Sequence, residues 1–182
     1  MTMAARITRR TLLRRGIAGA ALLGLGGGAG LALWPGRDLP APEGLVGLRP
    51  ARYPVALALA EALLPASGPG PSAAETTLAL GQVFARLHPG DQADLNDALG
   101  LLESALAGAL LDLRPAPFSR LPLPARRAAF GAWGESRLTL RRSAHAALRK
   151  LVYGTYYGHP SSYERLGYPG PPDLSAIQEA LP

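Results

Sequence analysis

Cysteine is absent from the 182 residues, and the only methionines are Met1 and Met3. The absence of cysteine excludes disulfides, thiolate zinc sites, cysteine-ligated iron–sulfur clusters, haem attached through C-x-x-C-H and a lipoprotein cysteine. Without a later methionine, the chain also has no thioether ligand beyond its first residues. Redox chemistry in which this chain takes part must therefore rely on other side chains or on a cofactor held by another protein.

Lysine is nearly absent as well, because Lys150 is the only one among 19 basic residues. The net charge of +6 is concentrated at the N-terminus, since residues 1–15 contain five arginines and no acid, which leaves +1 for residues 16–182. A body that is nearly neutral has no basic stripe with which to bind phosphates. We therefore expect no nucleic-acid partner.

Residues 1–34 have the order of an export signal, in which a basic segment is followed by an apolar one. Residues 16–33, GIAGAALLGLGGGAGLAL, carry no charge. The stretch TRRTLLR resembles the twin-arginine consensus, and the residues expected to form the signal are Thr8, Arg9, Arg10, Leu12, Leu13 and Arg14. The twin-arginine translocase is therefore an expected partner, and the periplasm is the expected location.

Removal of this leader is not decided by the sequence. A helix of eighteen residues spans about 27 Å, close to the hydrocarbon core of a bilayer at about 30 Å. Residues 16–33 can thus remain as an anchor in the inner membrane, and no good small-x-small cleavage site follows them. Cleavage and retention both stay open, and association with the membrane is expected.

A second interpretation of the glycine-rich run is a dinucleotide-binding turn. Gly24, Gly26 and Ala29 match the loosened pattern G-x-G-x-x-A. Such a turn needs a strand before it and a helix that starts at it. The following segment, LALWPGRDLPAP, contains three prolines, which prevent that helix. We therefore favour the export signal.

The rest of the chain predicts an all-α fold. Residues 35–50 have the proline- and glycine-rich composition of a linker, and residues 51–182 show helical periodicity without period-two alternation. The first three expected helices run from Tyr53 to Leu64, from the capping box of Ser72 and Glu75 to about His88, and from a first turn that contains Asp91 along an apolar stripe from Leu95 to Leu113. Two more are expected from Ala125 to Trp133 and from Arg137 to Tyr157. A single helical turn is expected near Ser162 to Leu166. We predict a compact bundle of about five helices.

Catalytic patterns are missing from this body. The three histidines, His88, His145 and His159, lack metal-ligand spacing, and the carboxylates are scattered, with Glu61 expected as a half-buried structural acid. No G-x-S-x-G, phosphate loop or carboxylate dyad occurs. We therefore expect a protein that is not an enzyme and has no catalytic, cofactor-binding or metal-binding residues of its own.

Five of the six tyrosines fall between residues 153 and 168. Tyrosine is enriched at protein interfaces because it combines a large apolar area with a polar tip. The residues we expect to dock a partner are Tyr156, Tyr157, Tyr163, Tyr168 and Pro169. The alternative is that these rings pack the end of the bundle, and it is favoured for Tyr153 and Tyr156.

The C-terminal third resembles the small-subunit family of gluconate 2-dehydrogenase, subunit 3. The resemblance is carried by YYG at Tyr156 to Gly158, by LGYPGPP at Leu166 to Pro172, and by the earlier LALAEALLPA and FARLHPGDQADLNDALGLLE. It spans roughly residues 52–172. The segment LPAR, Leu123 to Arg126, departs from the family pattern, in which a Ser or Thr cap and acids open the helix.

The resemblance implies a non-catalytic subunit of an oxidoreductase complex. In such systems a large flavoprotein of the glucose–methanol–choline type carries FAD and oxidises an alcohol or a sugar acid, and a cytochrome c subunit can receive the electrons. The small subunit would support folding of the flavoprotein and its twin-arginine export. The alternative function is a membrane-tethered helical scaffold without an oxidoreductase partner.

Overall fold

The computed structural model describes Gly30 and residues 33–171. The expected export signal, the alternative turn at Gly24 to Ala29, nearly all of the apolar run 16–33 and the end of the chain from Pro172 lie outside the described residues. Among the described residues, no helix is both long enough and apolar enough to cross a membrane.

Seven α-helices and no β-strand make up the described part of the chain, which confirms the predicted all-α bundle. The helices are α1 (Tyr53–Leu63), α2 (Ala73–Ala85), α3 (Pro89–Glu103), α4 (Ala105–Asp112), α5 (Leu123–Gly134), α6 (Thr139–Tyr157) and α7 (Tyr163–Leu166). Three short 3-10 turns, Pro50–Arg52, Phe118–Arg120 and Pro160–Ser162, join some of them.

Helix α1 lies at the centre of the bundle. Its residues from Val55 to Ala60 are all buried, and it contacts α2, α3, α5 and α6. Apart from Glu61, the middle of this helix is apolar around its circumference, and such a helix removes its apolar surface from water only when other helices surround it, which explains this central position. The helix ends before Pro65, because proline lacks the amide that the next helical hydrogen bond needs.

One predicted helix begins and another ends where the sequence indicated, although the second, α6, begins at Thr139 and not at Arg137. Ser72 and Glu75 form a capping box in which each side chain accepts a backbone N–H of the other residue. Helix α6 ends at Gly158 with Pro160 beyond it, as expected from the stop residues. Helix α5 begins two residues earlier than predicted, at Leu123, because Pro124 supplies a favourable first-turn residue.

The predicted helix from Asp91 to Leu113 is wrong as a single element. Ser104 adopts an extended backbone (ψ 117°), and its hydroxyl accepts the Ala107 N–H at 3.1 Å, so that it ends α3 and caps α4. In the sequence the apolar spacing continues across this break, which is why periodicity alone did not reveal it. The predicted stripe is buried only as far as Leu102, and Leu113 at its end is 90% exposed. This break and the short α7 raise the helix count from about five to seven.

Residues 35–50, which have the composition of a linker, pack along the bundle, and we call them the strap. Leu48 of the strap is buried in the core. The strap also passes so close to α2 that a Cβ on Gly81 would lie 2.6 Å from the Val46 carbonyl oxygen. The buried Asn96 holds it, since its amide donates to the Gly47 oxygen at 3.0 Å and accepts the Arg49 N–H at 2.8 Å.

Candidate functional site

The tyrosine cluster gathers at the C-terminal end of α6, where Gly158 stops the helix and α7 folds back. The Ser162 hydroxyl is buried and donates to the Tyr156 carbonyl oxygen at 2.7 Å, which fixes the turn between α6 and α7. Arg165 of α7 donates to the carbonyl oxygens of Pro69 and Ser67. These contacts hold α7 against the loop between α1 and α2, so the backbone that carries the tyrosines is fixed to the bundle.

Tyr156 belongs to the core and not to the surface. Its side chain is only 2% exposed, and its hydroxyl donates to the Pro69 carbonyl oxygen at 3.2 Å. A buried ring whose polar tip is already bonded has nothing left to offer a partner. This placement favours packing over docking for Tyr156 and corrects its inclusion among the docking residues.

The remaining predicted docking residues are accessible. Tyr157 and Tyr163 are half-buried, Tyr168 is 44% exposed, and Pro169 is exposed. The rings of Tyr163 and Tyr168 meet edge to face with centroids 5.1 Å apart, and Tyr157 meets Tyr156 in the same way at 4.9 Å. We call Tyr157, Tyr163, Tyr168 and Pro169 the tyrosine surface.

The geometry of the tyrosine surface suits protein contact. Edge-to-face pairs hold each ring in one orientation, so little side-chain entropy remains to be lost on binding. The left-handed glycines Gly167 (φ 61°) and Gly170 (φ 103°) shape the turn that carries Tyr168 and Pro169. An aromatic surface of this kind, fixed in place and partly exposed, has the character of interface hot spots.

The histidines have capping and packing roles. His88 caps the N-terminus of α3 by accepting the Gly90 N–H at 3.2 Å, whereas the sequence placed it at the C-terminus of α2, which ends earlier at Ala85. His159 accepts the Ser161 N–H in the turn after α6. The ring of His145 packs 4.5 Å from that of Phe130, and desolvation, aided by Arg149, lowers the pKa of His145.

Glu61 is half-buried, as predicted, and forms ion pairs with Arg37 at 3.2 Å and with Arg126. The sequence did not identify a second ion pair, in which Arg141 donates to both Asp112 oxygens at 2.8 Å. The signal for it was available in principle, because Arg141 falls in register with the buried residues Leu148 and Val152 of α6.

A cleft of about 970 Å³ lies between the strap and the junction of α3 and α4. Glu103 lines it, and burial raises the pKa of this carboxyl although the hydrogen bonds from Ser119 act against the increase. The Ser119 hydroxyl is buried, donates to Glu103 and accepts the Arg37 N–H at 2.7 Å. A serine enclosed in this way cannot act as a nucleophile toward a molecule in solution. The hydrogen-bonded Ser119 and Glu103 instead link the strap to α3.

The part of the chain that the structure describes contains no group of three or more His, Cys, Asp or Glu side chains placed to hold a metal ion. Among the described residues, the tyrosine surface is the candidate functional site. Comparison of the chain with models of protein families, with curated proteins and with solved structures gave no significant match.

Proposed function

We propose that this chain is the non-catalytic small subunit of a periplasmic, membrane-associated, FAD-dependent dehydrogenase of the glucose–methanol–choline type. Its partner flavoprotein would hold the FAD and oxidise an alcohol or a sugar acid, with a cytochrome c subunit as a further partner. The chain would support folding of the flavoprotein and carry it through the twin-arginine translocase. The anchor would be residues 16–33 if the leader is retained.

The observation that carries the proposal is the segment YYG followed by LGYPGPP, in a chain that begins with a twin-arginine stretch. Three tyrosines of this segment, Tyr157, Tyr163 and Tyr168, are half-buried or exposed on a turn tied to the bundle. Aromatic residues held in this way are suited to bind a folded protein partner. Export of a folded pair also requires only one leader, which this chain would supply.

Purification of the full chain from membranes of its natural host through a C-terminal tag tests the proposal. We expect a yellow companion whose spectrum shows FAD and whose sequence is that of a large oxidoreductase. The complex should oxidise an alcohol or a sugar acid, and the purified chain alone should not. Activity of the chain by itself would overturn the non-catalytic role.

The alternative function is a membrane-tethered helical scaffold without an oxidoreductase partner. It uses the same leader and the same helical body, so the identity of the companion separates the two. Recovery of the chain from membranes without a flavoprotein would contradict the subunit proposal and favour the scaffold.

A further inference from the structure

Five leucines are strongly exposed at the place where α4 ends and α6 begins. Leu113 is 90% exposed, Leu110 is 74% exposed and Leu140 is 71% exposed. Exposed apolar residues that occur singly are normal, but a group at one place on the surface points to a binding surface. We call this group the leucine end, and its members are Leu110, Leu111, Leu113, Leu138 and Leu140.

An ion pair holds the two halves of the leucine end together. Arg141, in the first turn of α6, is buried and donates to both oxygens of Asp112, the last residue of α4. The Arg141 guanidinium also lies over the ring of Trp133, 5.2 Å from its centroid. The leucines next to Asp112 and Arg141 therefore project from a fixed base.

Leu113 has a backbone conformation that favours glycine. Its φ of 53° is the only positive φ among the described residues other than glycine, and the Leu113 and Arg114 amides both donate to the Gly108 carbonyl oxygen. Glycine adopts this left-handed conformation without the steric cost of a Cβ. Folding alone gives no reason for a leucine here, because its side chain is in solvent and its backbone is strained.

The leucine end lies near the point where the apolar N-terminal run joins the body. Leu33 and Trp34 line the same cleft as Ser104 and Ala105, at the start of α4. Helix α4 has eight residues, so its two ends are about 12 Å apart. A bilayer that contains residues 16–33 would therefore lie on the side of the body that carries the start of α4.

Arginines on one side of the leucine end can meet an anionic lipid surface. Arg137, just before α6, and Arg142, in its first turns, are exposed, whereas the acids Asp94 and Asp97 of α3 lie on the other side, in a pocket that Leu140 also lines. Arginine can rest its apolar stem on lipid and keep its charge among the head groups. Trp34, which is 47% exposed, has the side chain that is enriched at membrane interfaces.

We propose that the leucine end rests in the surface of the membrane beside the anchor and sets the orientation of the body. The inference rests on the membrane association in the proposed function. Helix α6 has 19 residues and spans about 28 Å, with the leucine end at its start and the tyrosine surface at its end. Contact of the leucine end with lipid would therefore turn the tyrosine surface away from the membrane, toward a protein partner.

The absence of cysteine makes a direct test possible in the full chain. Single cysteines at Leu113→Cys and Leu140→Cys are labelled with a fluorophore, and the protein is reconstituted in vesicles of phosphatidylcholine and phosphatidylglycerol with brominated acyl chains. Ala74→Cys, an exposed position at the start of α2, is the matched control. We expect quenching of the label at positions 113 and 140 and none at position 74.

Quenching of the native tryptophan fluorescence reports membrane association independently of the leucine end. Trp34 is exposed beside the expected anchor, and Trp133 is buried in the bundle. Flotation with vesicles and quenching of Trp34, without quenching at positions 113 and 140, would overturn the inference and leave the anchor intact. A chain that does not float with vesicles would contradict both.

A glycine variant tests whether lipid contact, and not folding, depends on the leucine. Leu113→Gly relieves the backbone, so its melting temperature should be equal to or above that of the wild type. The label at position 140 should lose most of its quenching in this background. Quenching that is unchanged, or labels that respond only to a purified protein partner and not to lipid, would overturn the proposal.

Discussion

Glu103 and Arg141 are charged residues that the fold encloses, and each is paired. Arg141 donates hydrogen bonds to both oxygens of Asp112, and Glu103 accepts the N–H of Ser119 at 2.9 Å as well as its hydroxyl. Removal of one partner from a buried pair destabilises the fold by more free energy than the intact pair contributes to stability, because the other group stays buried without a partner. Single residues therefore control how the strap and α4 attach to the bundle.

Replacement of Glu103 by glutamine should change how stability depends on pH. Burial raises the pKa of the Glu103 carboxyl above its ordinary value of 4.5. A carboxyl with a raised pKa stabilises the folded chain most when it is protonated, and this contribution is lost as the pH rises through the folded pKa. The melting temperature of the wild type relative to Glu103→Gln should thus be highest at pH values below 4.5 and decline toward neutral pH.

Scanning calorimetry at a series of pH values measures this difference. Glu135→Gln, which changes an exposed acid, is the control for a general effect of charge. A difference between wild type and Glu103→Gln that increases with pH would contradict the expected sign.

Tyr168→Ala should mainly weaken binding to a partner, whereas Tyr156→Ala should mainly lower the stability of the fold. Tyr168 is partly exposed, so its removal should leave the melting temperature nearly unchanged and weaken binding of the proposed flavoprotein partner by about 2 kcal/mol, as at an interface hot spot. Tyr156 is buried, and its truncation should cost about 3–5 kcal/mol of folding free energy. Thermal unfolding and titration with the purified partner measure the two. An equal loss of stability in both variants would favour packing for Tyr168.

At the scale of elements, the boundary between α3 and α4 shows how a single cap overrides a periodic pattern. Leu95, Leu99 and Leu102 are buried on one face of α3, whereas α4 buries Ala105 and Gly108 and leaves Leu106 half-buried. Serine can bond the backbone in a non-helical conformation, so a local hydrogen bond at Ser104 competes with continuation of the helix. Periodicity identifies the buried face, but it does not detect a change of direction.

Ser104→Ala should lower the free energy of unfolding by about 1 kcal/mol, because the first turn of α4 loses its cap. Ser143→Ala is the matched control, since Ser143 is exposed within α6 and alanine is a better helix former there. Denaturant unfolding of both variants measures the effect. Increased stability of Ser104→Ala would show that α3 and α4 merge into one helix at no cost.

For the whole molecule, the proposed function depends on how the proposed leader, the bundle and the two proposed surfaces are arranged. The leader precedes the strap, and the strap is fixed to the bundle by Arg120, which donates to the Pro35 and Gly36 oxygens at 2.9 Å. The chain is therefore held to the bundle at residues 35 and 36, the point from which the proposed leader would extend.

Replacement of Arg9 and Arg10 by lysine should leave the chain, and any partner it carries, in the cytoplasm. Lysine keeps the positive charge, but it lacks the planar group with which arginine makes paired hydrogen bonds. Fractionation of cells that produce the full chain and its partner measures the distribution. Arg6→Lys and Arg15→Lys together keep the same charge outside the expected signal residues and serve as control. Export of the Arg9 and Arg10 variant at the normal level would refute the export signal.

The sequence by itself determined the all-α class, the capping box at Ser72, the end of α1 before Pro65 and the end of α6 at Gly158. These features depend on residues close together in the chain, where backbone geometry and local hydrogen bonds decide the outcome. Only the tertiary structure decided that Tyr156 is buried, that Arg141 meets Asp112 and that the strap packs against Gly81 and Asn96. Each of these depends on a neighbour far away in the sequence, and packing of the helices brings the two together.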